Sequence, residues 1–265
     1  MKNLLFKTQI LILLAFSLNL SAQTSNSEIL GVYQYQVEGI EGMSIISPTH
    51  FIWVISNKDR QPFSSADPSD EEKAEAYDAL NIAAGTWEET GDRRIKFTYT
   101  HHVNASLIGQ SFEWEYKKEG DQFNYWILQE DKSRGPQQQS RRIADWNAPG
   151  TCSQDNGTWE YVEWNGVYLQ CGNYGAWVIQ NELVKDASTV AGKAKAFEAM
   201  NGRFAIGDCR EGKSFWNILH ASDIRQEKAI IGCATKKLND GRYKWQVLNV
   251  KGEPAGVTWH IQRIK

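Results

Sequence analysis

The chain has 265 residues, a formal net charge of −3 and an aromatic content of 12% that includes 11 Trp. This length allows one large domain or two domains of about 120 residues each. The net charge gives no basic excess for binding a nucleic-acid backbone, and a hydrophobic fraction of 41% with only 6 Pro excludes a disordered chain. So many aromatic residues can fill a substantial core or line an apolar pocket.

The first 22 residues have the pattern of a secretory signal peptide. Lys2 and Lys7 give a positive start, an apolar run follows at 10–16, and a cleavage region ends at Ala22. Because the apolar run is too short to span a bilayer, the pattern predicts export to the periplasm or the medium with no membrane span.

Short segments of alternating polarity predict strands, as in 95–102 and 112–117. The Ala-rich segment 71–80 predicts a helix, since Ser69 before it and Glu72 in its first turn form a capping box. Turn signals at 119–121 and 239–241 separate further strands. About eight short strands in about 120 residues indicate a closed antiparallel barrel or a sandwich.

The chain contains one pattern twice. Ala74–Asn81 recurs as Ala194–Asn201, and three further segments recur in the same order at a near-constant offset. This predicts a tandem duplication with a first copy at 27–146, a second at 152–265, a linker within 147–156 and one helix in each copy. The further matched segments are 31–35 with 157–161, 51–55 with 175–179, and 119–128 with 239–248.

The first copy resembles the bacterial lipocalin-like domains of the calycin type. The resemblance rests on segments 49–54, 85–87, 100–103, 112–116 and 119–121, which read THFIWV, GTW, THHV, FEWEY and EGD. It implies an all-β protein of two tandem antiparallel lipocalin-like β-barrels, each with one short helix.

The resemblance also implies how the floor of each barrel is built. In calycins a Gly-x-Trp near the start of the barrel packs under an Arg of the last strand. In the second copy this implies Trp159 with Arg263. In the first copy it implies Tyr33 with either Arg141 or Arg142.

The four cysteines all lie in the second half of the chain. An even number in an exported protein predicts disulfides, and the spacings fit no zinc ribbon or CxxC redox motif. The residues alone leave three pairings open. The register of the resembled barrel favours Cys171 with Cys209 and Cys152 with Cys233.

A candidate ligand site is expected inside the first barrel. By strand alternation His101 shares the face of Tyr99 and is predicted to point inward, where it can donate a hydrogen bond to a ligand. A barrel of eight strands can be filled by side chains or can hold one small ligand. The remaining candidate ligand-binding residues are His50, Trp53, Trp114, Tyr116 and Tyr125.

The favoured function is binding of a small apolar or aromatic molecule, or of a glycan fragment, in the first barrel, with the second barrel as a support. We expect no metal, no cofactor and no nucleic-acid partner, because the chain contains no nucleophile elbow, phosphate loop or zinc-protease motif. One alternative is a cofactor-independent isomerase or cyclase that uses a pocket His or Tyr. The other is an envelope scaffold with a protein partner.

Overall fold

The computed structural model describes residues 27–35, 37–151, 156–210, 213–249 and 251–264. The predicted signal peptide and Cys152 lie outside these ranges. Within them, no helix is long and apolar enough to cross a membrane.

The described chain forms two closed antiparallel barrels of eight strands. In each barrel every strand pairs with the next one along the chain, and the last strand pairs back with the first. Barrel 1 contains β1 (Gly31–Tyr35), β2 (Ile40–Ile46), β3 (His50–Asn57), β4 (Leu80–Gly91), β5 (Arg94–His102), β6 (Ser111–Glu119), β7 (Gln122–Leu128) and β8 (Arg134–Asp145).

Barrel 2 repeats this order. It contains β9 (Gly157–Tyr161), β10 (Gly166–Cys171), β11 (Tyr174–Gln180), β12 (Met200–Arg210), β13 (Lys213–Ala221), β14 (Ile230–Lys237), β15 (Tyr243–Leu248) and β16 (Pro254–Arg263). The predicted all-β fold of two tandem barrels is confirmed.

One α-helix follows the third strand of each barrel: α1 (Asp70–Asp78) and α2 (Val190–Ala199). The predicted capping box is present, since the Ser69 side chain accepts from the Glu72 backbone and the Glu72 side chain accepts from the Ser69 backbone. Single 3-10 turns cover Ser27–Ile29, Ala105–Leu107 and Ile224–Gln226.

The two barrels pack like the subunits of a symmetric dimer. Lys73 of α1 pairs with Glu198 of α2 at 2.6 Å, and Lys193 of α2 pairs with Asp78 of α1 at 2.6 Å. These pairs are equivalent under the 120-residue offset, which is the reciprocity of a two-fold interface. The fusion of the copies has therefore kept a pseudo-two-fold contact.

In addition to the core inside each barrel, an apolar core lies between the two barrels. Outward-facing residues of barrel 1 such as Val54 and Ile82 form one buried cluster with Val178 and Phe204 of barrel 2. Gly202 is required here, because a Cβ at that position would lie 2.5 Å from Cγ2 of Ile82. The apolar faces hold the two barrels together, since their separation would expose this cluster to water.

A buried arginine ties a loop of barrel 1 to barrel 2. The Arg60 side chain is 4% exposed, and its Nη2 lies 2.6 Å from Oε1 of Glu227. Its Nη1 donates to the carbonyl oxygens of Ala221 and Ser222, both at 2.9 Å. Three polar contacts therefore reinforce the apolar interface.

The floor of barrel 2 has the arrangement that the resemblance implies. Arg263 places its Cζ 5.7 Å from the ring centroid of Trp159 and donates from Nη2 to the carbonyl oxygen of Asn156. In barrel 1, Tyr33 pairs across the sheet with Arg142, and Gln34 pairs with Arg141.

The predicted inward direction of His101 is wrong. Tyr99 pairs with Gly85 and His101 pairs with Ala84, which makes Thr100 an extra residue on β5. Such a bulge reverses the alternation of side chains. His101 therefore faces barrel 2, and its Nε2 lies 3.1 Å from Oδ1 of Asn165. His102 takes the inner side, with its ring 4.7 Å from that of Tyr99.

The predicted disulfide pairing is also wrong. Cys171 and Cys233 are free, buried thiols, which excludes both Cys171–Cys209 and Cys152–Cys233. The Sγ of Cys171 donates a hydrogen bond of 3.2 Å to the carbonyl oxygen of Asp145 in β8 of barrel 1. Cys233 faces the interior of barrel 2. Cys209 is disulfide-bonded.

Candidate functional site

Each barrel encloses an apolar cavity between its aromatic side chains. The cavity of barrel 1 measures about 220 Å³, and that of barrel 2 about 330 Å³. Ligand pockets in proteins begin at roughly 300 Å³. The cavity of barrel 2 is therefore the better candidate for a small ligand.

Four of the residues predicted for the site do line the cavity of barrel 1: Trp53, Tyr99, Trp114 and Tyr125. The other three do not line this cavity, and they lie elsewhere. Tyr116 is buried beside the cavity and stacks on Phe123 at 5.1 Å. His101 lies at the barrel interface. His50 lies at the start of β3, where its Nδ1 is 2.8 Å from Oγ1 of Thr49.

Aromatic stacking leaves barrel 1 little free space. Trp114 lies 4.2 Å from Tyr125 and 4.5 Å from Phe97 between ring centroids. Trp53 stacks on Trp114, and its Nε1 donates to Oδ1 of Asn81 at 3.1 Å. The interior of barrel 1 is thus largely filled by its own rings, and one buried polar atom on its cavity wall, Nε1 of Trp114, has no hydrogen-bond partner among the described residues.

Smaller side chains in barrel 2 create the larger cavity. Three aromatic residues of barrel 1 correspond, by strand register, to two isoleucines and one cysteine in barrel 2. Removing this aromatic volume leaves space, because side chains of the surrounding strands cannot move far enough to refill it. The replacements are Tyr99 by Ile218, Phe112 by Ile231 and Trp114 by Cys233.

One tryptophan fills the opposite side of barrel 2. Gly175 and Gly207 occupy the positions that Phe51 and Trp87 hold in barrel 1. A Cβ at either glycine would lie under 3.0 Å from the ring of Trp216. Trp216 therefore takes the space of both missing rings, and the cavity remains on the Cys233 side.

A row of indole rings leads from the interior of barrel 2 to its mouth. Trp216 stacks on Trp245 and Trp245 stacks on Trp259, each pair with 6.2 Å between ring centroids. Trp164 follows at 5.7 Å from Trp259 and is 38% exposed. All four line the cavity. This wall suits a flat or apolar ligand body, since aromatic faces stack well on such surfaces.

Arg203 adds a positive charge to this apolar wall. It pairs across the sheet with Trp177, in the place where barrel 1 pairs Ala83 with Trp53. Its Cζ lies 5.9 Å from the ring centroid of Trp177, and its Nε donates to Oε1 of Gln226 at 2.5 Å. Burial lowers the pKa of Arg203, but a guanidinium stays protonated in proteins.

Two further polar atoms of cavity-lining residues lack partners. Oδ1 of Asn201 and Nε1 of Trp245 are buried without a hydrogen bond among the described residues. A buried polar atom without a partner costs free energy. The wall of the cavity thus offers one acceptor and one donor in addition to the Arg203 guanidinium.

The cavity offers no group suited to proton transfer near neutral pH among the described residues that line it. Burial raises the pKa of the Cys233 thiol to about 12, and it raises the pKa values of Tyr161 and Tyr168 above the ordinary range. These groups stay neutral, whereas acid–base catalysis needs a pKa near the working pH. No group of three or more His, Cys, Asp or Glu that could hold a metal ion occurs in the described ranges.

Sequence reasoning missed Arg203 as a functional candidate. The signal was present in the duplication, since the matched segments continue as Asn81-Ile-Ala83 and Asn201-Gly-Arg203. The charged residue stands at this inward position in one copy alone, which marks a divergence between the two interiors.

Comparisons with known proteins give a fold likeness only. No family model and no curated protein matches the chain. Among solved structures, the structure of this chain is similar to that of an uncharacterized protein, YLR301w from Saccharomyces cerevisiae, with a TM-score of 0.48 and 12% sequence identity. The alignment covers 88% of this chain and 97% of that one.

Proposed function

We propose that this protein binds a small ligand with a flat, apolar body in the cavity of barrel 2. The observation that carries the proposal is the row of four indole rings beside the free volume that Cys233 leaves. The lipocalin-like sequence resemblance supports this function, because ligand binding inside the barrel is typical of that fold.

The proposal moves the site from barrel 1, where the sequence favoured it, to barrel 2. Trp114 occupies in barrel 1 the volume that is open in barrel 2. Barrel 1 contributes the shared core and the buried Arg60 contacts, which hold barrel 2 in place. Barrel 1 is thus the better support.

Filling each cavity separately tests the location. The probe is 2-naphthalenemethanol, an uncharged two-ring alcohol, titrated into the full chain in a calorimeter. Cys233→Trp places in barrel 2 the residue that barrel 1 has there, and it should weaken binding by at least tenfold. Cys233→Met is a milder filler in case the larger ring prevents folding.

The matched control is Tyr125→Trp, which gives barrel 1 the residue that barrel 2 has as Trp245. We expect it to leave binding unchanged. Loss of binding in Tyr125→Trp with normal binding in Cys233→Trp would return the site to barrel 1 and refute the proposal. Failure of the unmodified protein to bind both this alcohol and the corresponding acid, naphthalene-2-carboxylate, would refute it as well.

We also propose that the protein works outside the cytoplasm. The support is the signal-peptide pattern of residues 1–22. Mass spectrometry of the protein recovered from its native cells should give a chain that begins at Gln23, and an intact Met1 would contradict export by this route.

A further inference from the structure

We propose that the natural ligand of barrel 2 is a monoanionic aromatic acid whose carboxylate binds Arg203. This inference rests on the proposed function, because it names the ligand class for the same cavity. Three observations carry it: the free end of the Arg203 side chain, the absence of a compensating charge among the described residues of the cavity wall, and two unpartnered polar atoms of the same wall.

The end of the Arg203 side chain is available to a ligand. Its Nε is used by Gln226, and its two Nη groups make no hydrogen bond within the described part of the chain. The two Nη groups present parallel N–H bonds that match the two oxygens of a carboxylate. The side chain is anchored at Nε and lies over Trp177, so its free end is already oriented.

The carboxylate nearest in effect to Arg203, that of Asp223, already forms an ion pair with Arg225. Asp223 is the carboxylate whose charge acts on Arg203, but its oxygens accept from Nε and Nη2 of Arg225 at 2.9 and 2.7 Å. No carboxylate of the described residues forms an ion pair with Arg203. A charge in an apolar wall without a partner is unfavourable, and a bound anion removes that cost.

The cavity wall has one cationic residue among the described residues that line it, which favours a ligand with a single negative charge over a phosphate. Among the described residues that line the cavity, Arg203 alone is cationic, and the others are aromatic, aliphatic, amide or thiol. A phosphate monoester carries close to two negative charges at neutral pH, of which one would stay uncompensated between indole rings. A carboxylate matches Arg203 in charge, and its aromatic body matches the indole row.

The unpartnered atoms refine the ligand class. Trp245 is 6% exposed, and its Nε1–H is a donor without an acceptor, while Oδ1 of Asn201 is an acceptor without a donor. A hydroxyl or ring N–H on the ligand can satisfy one or both. An aromatic acid that carries such a group therefore fits the cavity better than a plain hydrocarbon acid.

A matched pair of probes tests the charge preference. We would titrate the full chain with naphthalene-2-carboxylate and with 2-naphthalenemethanol, which share one ring system. The unmodified protein should bind the acid at least tenfold more tightly. Arg203→Gln should reduce the affinity for the acid to that for the alcohol, and it should leave the affinity for the alcohol within about twofold. Arg203→Lys, which keeps the charge, should retain part of the preference.

Arg242→Gln is the control for net charge. Arg242 is an exposed partner of Asp240 outside the cavity, and its loss should leave both affinities unchanged. Equal binding of acid and alcohol by the unmodified protein would overturn this inference and leave the proposed function standing. Equal loss of both probes in Arg203→Gln would show that Arg203 only shapes the pocket, which also overturns it. If neither probe binds the unmodified protein, the proposed function itself fails.

Discussion

The two barrels have the same strands in the same order, yet their interiors are packed differently. Barrel 1 stacks aromatic rings on each other and pairs Trp53 with Asn81. Barrel 2 keeps the larger cavity, whose wall carries a cationic side chain and two unpartnered polar atoms, whereas the wall of the smaller barrel 1 cavity carries one, Nε1 of Trp114. Because both barrels share one outer core, changes inside one of them leave the overall arrangement intact. A duplicated fold can thus reserve one copy for stability and the other for binding.

The difference comes from few positions. Exchange of Trp114 for Cys233 opens the cavity, and exchange of Ala83 for Arg203 gives it a charge. Neither change favours folding, since one forfeits packing and the other buries charge. Features that cost stability and converge on one cavity are typical of a functional site.

The largest expected effect comes from emptying the filled barrel. Trp114→Ala should lower the free energy of unfolding by about 3–5 kcal/mol, the usual loss for a buried aromatic residue, because Trp114 packs against both Tyr125 and Phe97. Cys233→Ala at the equivalent position of barrel 2 should cost only about 1 kcal/mol. Urea unfolding measures both. Similar losses in the two variants would show that the interiors are packed alike.

Acid should act on barrel 1 through His102. Burial lowers the pKa of His102 from 6.5 to about 4. Above pH 6.5 the His102 imidazole is neutral in both the folded and the unfolded protein. As the pH falls from 6.5 to about 4, the unfolded chain takes up the proton first and stability is lost, by about 3 kcal/mol for this shift.

The variant His102→Ala isolates this contribution, because barrel 2 has Ala221 at the equivalent position. As the pH falls from 7.5 to 4, the unmodified protein should lose more unfolding free energy than the variant does. A difference that stays constant over this range would mean that another group senses the acid.

The sequence predicts the barrels well because their signals are local and repeated. Strand alternation, the capping box at Ser69 and the repeat of Ala74–Asn81 each depend on neighbouring residues, and the structure confirms the elements that they predict. The direction of His101 depends on one extra residue, Thr100. A bulge of one residue leaves no signal in polarity, so alternation assigned His101 to the wrong face.

Disulfide pairing and the location of the cavity depend on contacts distant in sequence. Cys171 meets the carbonyl group of Asp145 from the other copy, and the position of Cys233 inside barrel 2 follows only from the register of β13 with β14. Cavity volume depends on how all rings pack at once. The aromatic residues of each copy can be read from the sequence, but the volume left between their rings cannot.

The smallest effect concerns two equivalent asparagines. Asn81→Ala removes the acceptor of the Trp53 indole N–H, and the loss of this hydrogen bond should cost about 1 kcal/mol. Asn201→Ala removes a buried oxygen that has no partner, so its effect on unfolding should be neutral or slightly stabilising. Urea unfolding of both variants, measured side by side, checks the contrast. If Asn201→Ala costs as much as Asn81→Ala, then Asn201 contributes to the packing of barrel 2 itself, and its carbonyl oxygen is not held in reserve for a ligand.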